Sequence, residues 1–165
     1  MGALVRKIEL AKWKQKDVVG GETPSADAIT ACLRTRGNAL SVWWIEDDSE
    51  FMDAVLAIAS GGQGIDTIDV VTIPASPGEG HDFALTLSAS DGRTPYARFS
   101  CRHRDVVDLD YDSLGTMATL VVAAIKEKRH RRFTARELRK LLTDAVSEQK
   151  ISLECLGDGL RKELA

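Results

Sequence analysis

Aromatic side chains make up only 5% of these 165 residues, proline occurs four times and cysteine three times. Scarce proline and glycine below one residue in ten exclude collagen-like and low-complexity chains. Cys32, Cys101 and Cys155 are odd in number and widely spaced, which excludes a dense disulfide framework and suits a reducing cytosol. Long apolar runs are also missing. The longest, Leu120 to Ile125, is far short of the ~20 residues that cross a bilayer, so no membrane partner is expected. The opening Met-Gly-Ala-Leu-Val-Arg-Lys has neither the apolar core nor the cleavage site of a secretory signal. The expected location is cytoplasmic.

What is present suits a folded domain. Hydrophobic residues make up 44% and charged residues 28%, with a formal net charge of −3. That balance excludes a uniformly basic nucleic-acid coat and a disordered chain. At 165 residues one domain is expected, with a sheet-containing body over 1–110 and a helical segment over 111–165.

Hydrophobic periodicity supplies the order of elements. A first strand, at the periphery of the sheet, runs from Ala3 to Trp13, Val18 to Pro24 is a turn, and Ser25 caps a helix over Ala26–Arg34 that Gly37 ends. Asn38–Glu46 is apolar on both sides, as a central strand is. Asp48 or Ser49 opens a second helix through Phe51, Val55 and Ile58, closed by Gly61 and Gly62. Ile65–Ile73 is a strand, followed by the Pro77–Gly80 loop. Phe83–Ser90 and Tyr96–Val107 form a hairpin around Asp91-Gly92. Helices follow from Asp112 or Ser113 to Ile125, from the Thr134–Glu137 capping box through Val146, and from Leu153 to Leu164, with Gly157 and Gly159 weakening the last. The class is α+β: a mixed sheet of about five strands with an antiparallel hairpin, two helices packed across it, and a helical C-terminal third.

Charge is segregated. Residues 1–16 carry +4, residues 17–85 carry −10 and residues 86–165 carry +3, a pattern of internal complementarity or of two separate docking surfaces. The densest basic tract, Lys126 to Lys140, includes Lys126, Lys128, Arg129, Arg131, Arg132 and Arg136. It could hold phosphates, and it equally suits a helix C-terminus and the turn after it. Acids in the last helix, Glu154, Asp158 and Glu163, argue against a DNA-reading helix.

Enzyme signatures with a stated mechanism do not occur. Cys101 and His103, the nearest to a nucleophile and base, lie ~6.5 Å apart along a strand, beyond direct proton transfer. Asp105, Asp108, Asp110 and Asp112 precede a helix, where acids answer the dipole as readily as a cation. Gly61-Gly62-Gln63-Gly64 follows a helix instead of opening one, so it is a connector. Neither cofactor nor metal is implied.

Two features point to contact with another protein or with a second copy. Trp13, Trp43 and Trp44 hold all the tryptophan, and adjacent Trp43 and Trp44 face opposite sides of their strand. Arg98, Arg102 and Arg104 form a basic ladder on the wet side of the hairpin. The expectation is a non-enzymatic, bacterial, cytosolic accessory, inhibitor or immunity-type protein using those six residues. The alternatives are a nucleic-acid accessory protein built on 126–140 and a small hydrolase or metal enzyme around Cys101 and His103.

Overall fold

A computed structural model describes residues 2–13, 24–75, 85–90 and 92–165. The first half holds β1 (Ala3–Ile8), α1 (Leu10–Trp13), α2 (Ala26–Cys32), β2 (Leu40–Ile45), α3 (Phe51–Ser60) and β3 (Ile68–Pro74). The second holds β4 (Thr86–Ala89), β5 (His103–Val107), α4 (Tyr111–Lys126), β6 (His130–Phe133), α5 (Ala135–Ser147) and α6 (Asp158–Leu164). The turn at Val18–Pro24 (all but Pro24), the Pro77–Gly80 loop, Phe83 and Asp91 lie outside the described residues.

The class is α+β. The described strands form one six-stranded sheet in the order β4-β5-β2-β1-β3-β6, and every neighbouring pair is antiparallel. Strand β1 therefore sits inside the sheet, and alternation along it feeds both faces. Val5 joins a core with Ile45, Val55, Val70, Phe133, Leu142 and Leu160, which α3, α5 and α6 cover. Leu4 and Ile8 join a second core with Val42, Val71, Val106, Met117 and Val121, which α2 and α4 cover. Helices thus lie on both faces, and the C-terminal third contributes to both cores.

The sixth strand falls where sequence places a helix end and a turn. His-Arg-Arg-Phe has no alternation that announces a strand, yet it pairs with β3 from Val71↔His130 to Ile68↔Phe133. Its charge suits the place, because natural sheets guard an edge with charged residues against further pairing. Arg132 closes on Asp69 directly opposite, with Nε and Nη2 donating to the two carboxylate oxygens at 2.8 and 3.0 Å.

A second difference concerns Tyr96–Val107. Residues Ala97–Arg102 are a 3-10 turn, and the strand begins only at His103. In a 3-10 turn residues three apart share a face. Tyr96 and Phe99 use this to bury parallel rings 6.1 Å apart. Cys101 is consequently exposed instead of lying on a dry strand face. Gly37 is likewise no helix terminator: α2 ends at Cys32, and Gly37 and Asn38, both at positive φ, form a two-residue turn bracketed by hydrogen bonds between Arg36 and Ala39.

The remaining helix ends follow local chemistry. Ser25 Oγ accepts from the Ala28 N–H at 3.1 Å, and Thr134 with Glu137 forms the expected capping box. The α4 box is Asp110 with Ser113, starting two residues before the position read from sequence. The weak last helix is explained by its neighbour. A Cβ on Gly159 would lie 1.9 Å from the Gln63 carbonyl oxygen, so only glycine lets α6 settle on the Gly61–Gly64 turn. Glu163 fastens the contact by accepting from the Ile65 N–H at 3.1 Å.

Candidate functional site

The hairpin arm carries most of the residues singled out from sequence. Trp43 and Trp44 do face opposite sides of β2, but each is covered by the chain itself. Trp43 stacks on Phe99 at 5.9 Å and meets the edge of His103 at 5.0 Å. Gly92 lies against both, since a Cβ there would come within 2.5 Å of the Trp43 ring and 2.8 Å of the His103 Cβ. Trp44 and Trp13 pack against the second core. Helices cover both faces of the sheet, so neither side of β2 leaves its tryptophan bare. The exposed large hydrophobic side chains among the described residues are Met52, Leu153 and, at 90% exposure, Tyr111.

The arginine ladder does not form, because two of its members stand in the 3-10 turn and not on a strand. Arg98 is exposed. Arg102 is clamped by Glu46 at 2.5 Å and Glu50 at 2.7 Å, which holds the Glu46 carboxyl below the usual carboxylate range. Arg104 on β5 donates to the carbonyls of Cys101 and His103 at 2.8 and 2.7 Å. The basic tract is similarly engaged. Arg129 pairs with Glu127 at 2.7 Å, and Arg131 lies 4.5 Å over the Phe133 ring with Glu137 at 3.9 Å. Arg132 is held by Asp69, whose carboxyl that contact pulls down. Lys126 ends α4 and has a partner of its own. Lys128 and Arg136 are exposed, Lys128 at φ 59° in the turn after α4.

His103 does not meet Cys101. Its Nδ1 lies 2.7 Å from the Ser90 hydroxyl, one position beyond the last β4–β5 pair, Ala89↔Arg104. Burial lowers its pKa, so the ring is neutral at pH 7 and can accept that hydroxyl hydrogen. Asp105, two residues along, accepts from Ser41 Oγ at 3.0 Å. Sequence spacing gives no hint of a Ser90–His103 contact, because thirteen residues and a turn separate the two. Asp110 accepts from Ser113, a capping role, and among the described residues no group of three His, Cys, Asp or Glu side chains could hold a metal ion.

One feature of this arm was not found from sequence. Among the described strands β4 is the terminal one opposite β6, and Thr86, Leu87, Ser88 and Ala89 carry no charge and no proline. The Ser90 N–H donates to the His103 carbonyl at 3.5 Å. Antiparallel alternation then turns the backbone groups of Ser88 and Thr86 toward β5 and those of Leu87 and Ala89 outward. Thr86, Ser88 and Ala89 are exposed and Leu87 is partly buried against the second core. The signal available in the sequence was an uncharged run beside a turn, which reads the same at an edge and inside a sheet.

Comparison with protein-family models, with characterised proteins and with solved structures finds no match for this chain. Among the described residues no helix is long and apolar enough to cross a membrane.

Proposed function

We propose that this chain works by contact with another protein, as an accessory, inhibitor or immunity-type module, and that an extended strand of the partner adds to β4. The observation that carries this reading is the difference between the two edges. Strand β6 presents Arg131 and Arg132, the device by which sheets discourage further pairing, whereas β4 presents Thr-Leu-Ser-Ala. Backbone hydrogen bonds to such an edge supply affinity, and the side chains facing either side of the new strand supply selectivity. Tyr111, 90% exposed at the start of α4 four residues after β5 ends, is a ready aromatic anchor for a partner. The same reading places the protein in the cytosol, where the exposed thiols of Cys101 and Cys155 stay reduced.

The test uses Ala89→Pro. The Ala89 N–H points away from β5, so proline there deletes an outward donor and leaves the ladder to β5 intact. Complexes are isolated with the full chain from its own cells and amide exchange is followed on them. The Leu87 and Ala89 amides are expected to exchange freely in the isolated chain and slowly in the complex. Ala89→Pro is expected to weaken that complex at least about tenfold, the worth of one or two lost hydrogen bonds, with unchanged circular dichroism. A complex that the variant forms as well as the parent does refutes docking at β4.

A further inference from the structure

Strand β1 pairs with β3 from Ala3 to Ile8 but with β2 only at Ala3, Leu4 and Val5. Beyond Val5 the sheet is open between β1 and β2. Arg6 spans the opening: Nη1 donates to the Ser41 carbonyl, and Nε and Nη2 donate to the Cys32 carbonyl at 2.9 and 2.6 Å. On the α3 side of this opening lies a hollow of about 250 Å³ whose lining, among the described residues, includes Arg6, Lys7, Arg93 and Trp43 and no acidic residue. Lys7, Ile58 and Gly61 also line a neighbouring cleft of about 340 Å³, whose lining adds Ile68 and the carboxylate residue Asp66, with Leu138 and Leu142 buried behind it. Taken together the two spaces fall in the size range of small-molecule sites.

Among the described residues the charges in this place are only partly balanced. Neither Lys7 nor Arg93 forms an ion pair among the described residues. Arg6 meets carbonyls alone and retains uncommitted N–H groups. The nearby end of α3 answers part of this charge, since a helix C-terminus carries about half a negative charge. Its Ala57 carbonyl is already taken, by the Gly61 N–H at 3.4 Å and the Thr94 hydroxyl at 3.0 Å. Asp66 in the neighbouring cleft offsets one more charge, and the three cations still leave a net positive charge for a guest. A cation-lined hollow that shares Lys7 and the half-buried Ile58 with its neighbour suits a molecule with an anionic head and an apolar body.

We propose that this cleft binds a small amphipathic organic acid, its oxyanion held by Lys7 and Arg93 beside Trp43 and its apolar body lying on Ile58 at the edge of Ile68. The head is a carboxylate or a phosphate monoester, which offer the same oxygens to a fork of N–H donors. The site is independent of the β4 edge, so the two proposals fail separately.

Isothermal titration of the full chain with octanoate, octyl phosphate and inorganic phosphate tests this. At least one amphiphile is expected to bind saturably at one site per chain, and the tighter of the two identifies the head group. Inorganic phosphate, which has no apolar body, is expected to bind more weakly than octyl phosphate. Lys7→Gln and Arg93→Gln are each expected to weaken binding about tenfold, as loss of a charged hydrogen bond does. Both side chains are exposed, so the variants keep the fold, which their melting temperatures check. The proposal is overturned if neither amphiphile saturates by about 10 mM, a threshold well above the millimolar affinity of a weak site. It is equally overturned if the double variant binds like the parent, or if inorganic phosphate binds as tightly as octyl phosphate.

Discussion

At Gly159 a hydrogen in place of a methyl group decides whether the last helix docks. The Gln63 carbonyl occupies the space a Cβ would need, so the helix propensity that glycine forgoes, about 1 kcal/mol, is exchanged for contact. Gly159→Ala raises helix propensity and yet is expected to lower stability by about 1–3 kcal/mol, the range for overpacking a close contact, read from urea denaturation. A stabilised variant would show that α6 does not rest on the Gly61–Gly64 turn. Tyr96 makes the same point for polar groups: its hydroxyl donates to Asp53 at 2.8 Å, and burial with that carboxylate drives its pKa up to about 12. Neither contact has a spacing signature, since 96 and 53, like 159 and 63, meet only in the fold.

Elements show where local rules suffice. Helices α4 and α5 both end with a residue at positive φ, Lys128 at 59° and Gln149 at 58°. After each, paired hydrogen bonds run back into the helix, Arg129 N–H to Ala124 and Lys128 N–H to Ile125 in α4, Lys150 N–H to Ala145 and Gln149 N–H to Val146 in α5. This is the glycine-type helix ending built without glycine. Gln149→Gly is therefore expected to stabilise the protein by about 0.5–1 kcal/mol, because a side chain in the left-handed region is strained; the urea midpoint measures it. Thr134 and Glu137 were legible as a cap because both partners lie within one turn. Strand β6 was not, because its pairing partner is some sixty residues away and three of its four residues are basic or imidazole. The 3-10 turn at Ala97–Arg102 was hidden by an accidental alternation, and with it went the arginine ladder.

For the whole molecule, the segregated charge resolves in part into internal complementarity. The acidic stretch meets the basic C-terminal half at Arg102 with Glu46 and Glu50 and at Arg132 with Asp69. Asp69 is 7% exposed and also accepts from the Leu10 N–H at 3.2 Å. Its pKa is lowered by the Arg132 hydrogen bond first, and that of His103 is lowered by burial. In both cases the unfolded chain holds its proton more tightly than the folded one, so stability rises with pH. The expected curve of urea midpoint against pH has two declines on acidification. The first starts below about 6.5, where an unfolded histidine takes up its proton, and the second below about 4, as Asp69 is protonated. His103→Gln should remove the first and Arg132→Met should shrink the second. A curve that neither variant changes would assign the pH dependence to other groups.

Sequence alone determined the α+β class, most helices with their caps, and the split of Trp43 and Trp44 between two faces, because periodicity and capping act within a few residues. Tertiary structure alone decided that helices cover both faces, that a basic tetrapeptide becomes an edge, that β4 is the uncharged edge and that β1 parts from β2 over three cations. These depend on which distant strands lie side by side, and the pairing of strands is settled by the packing of the whole sheet, with no trace in the spacing of residues along any one of them.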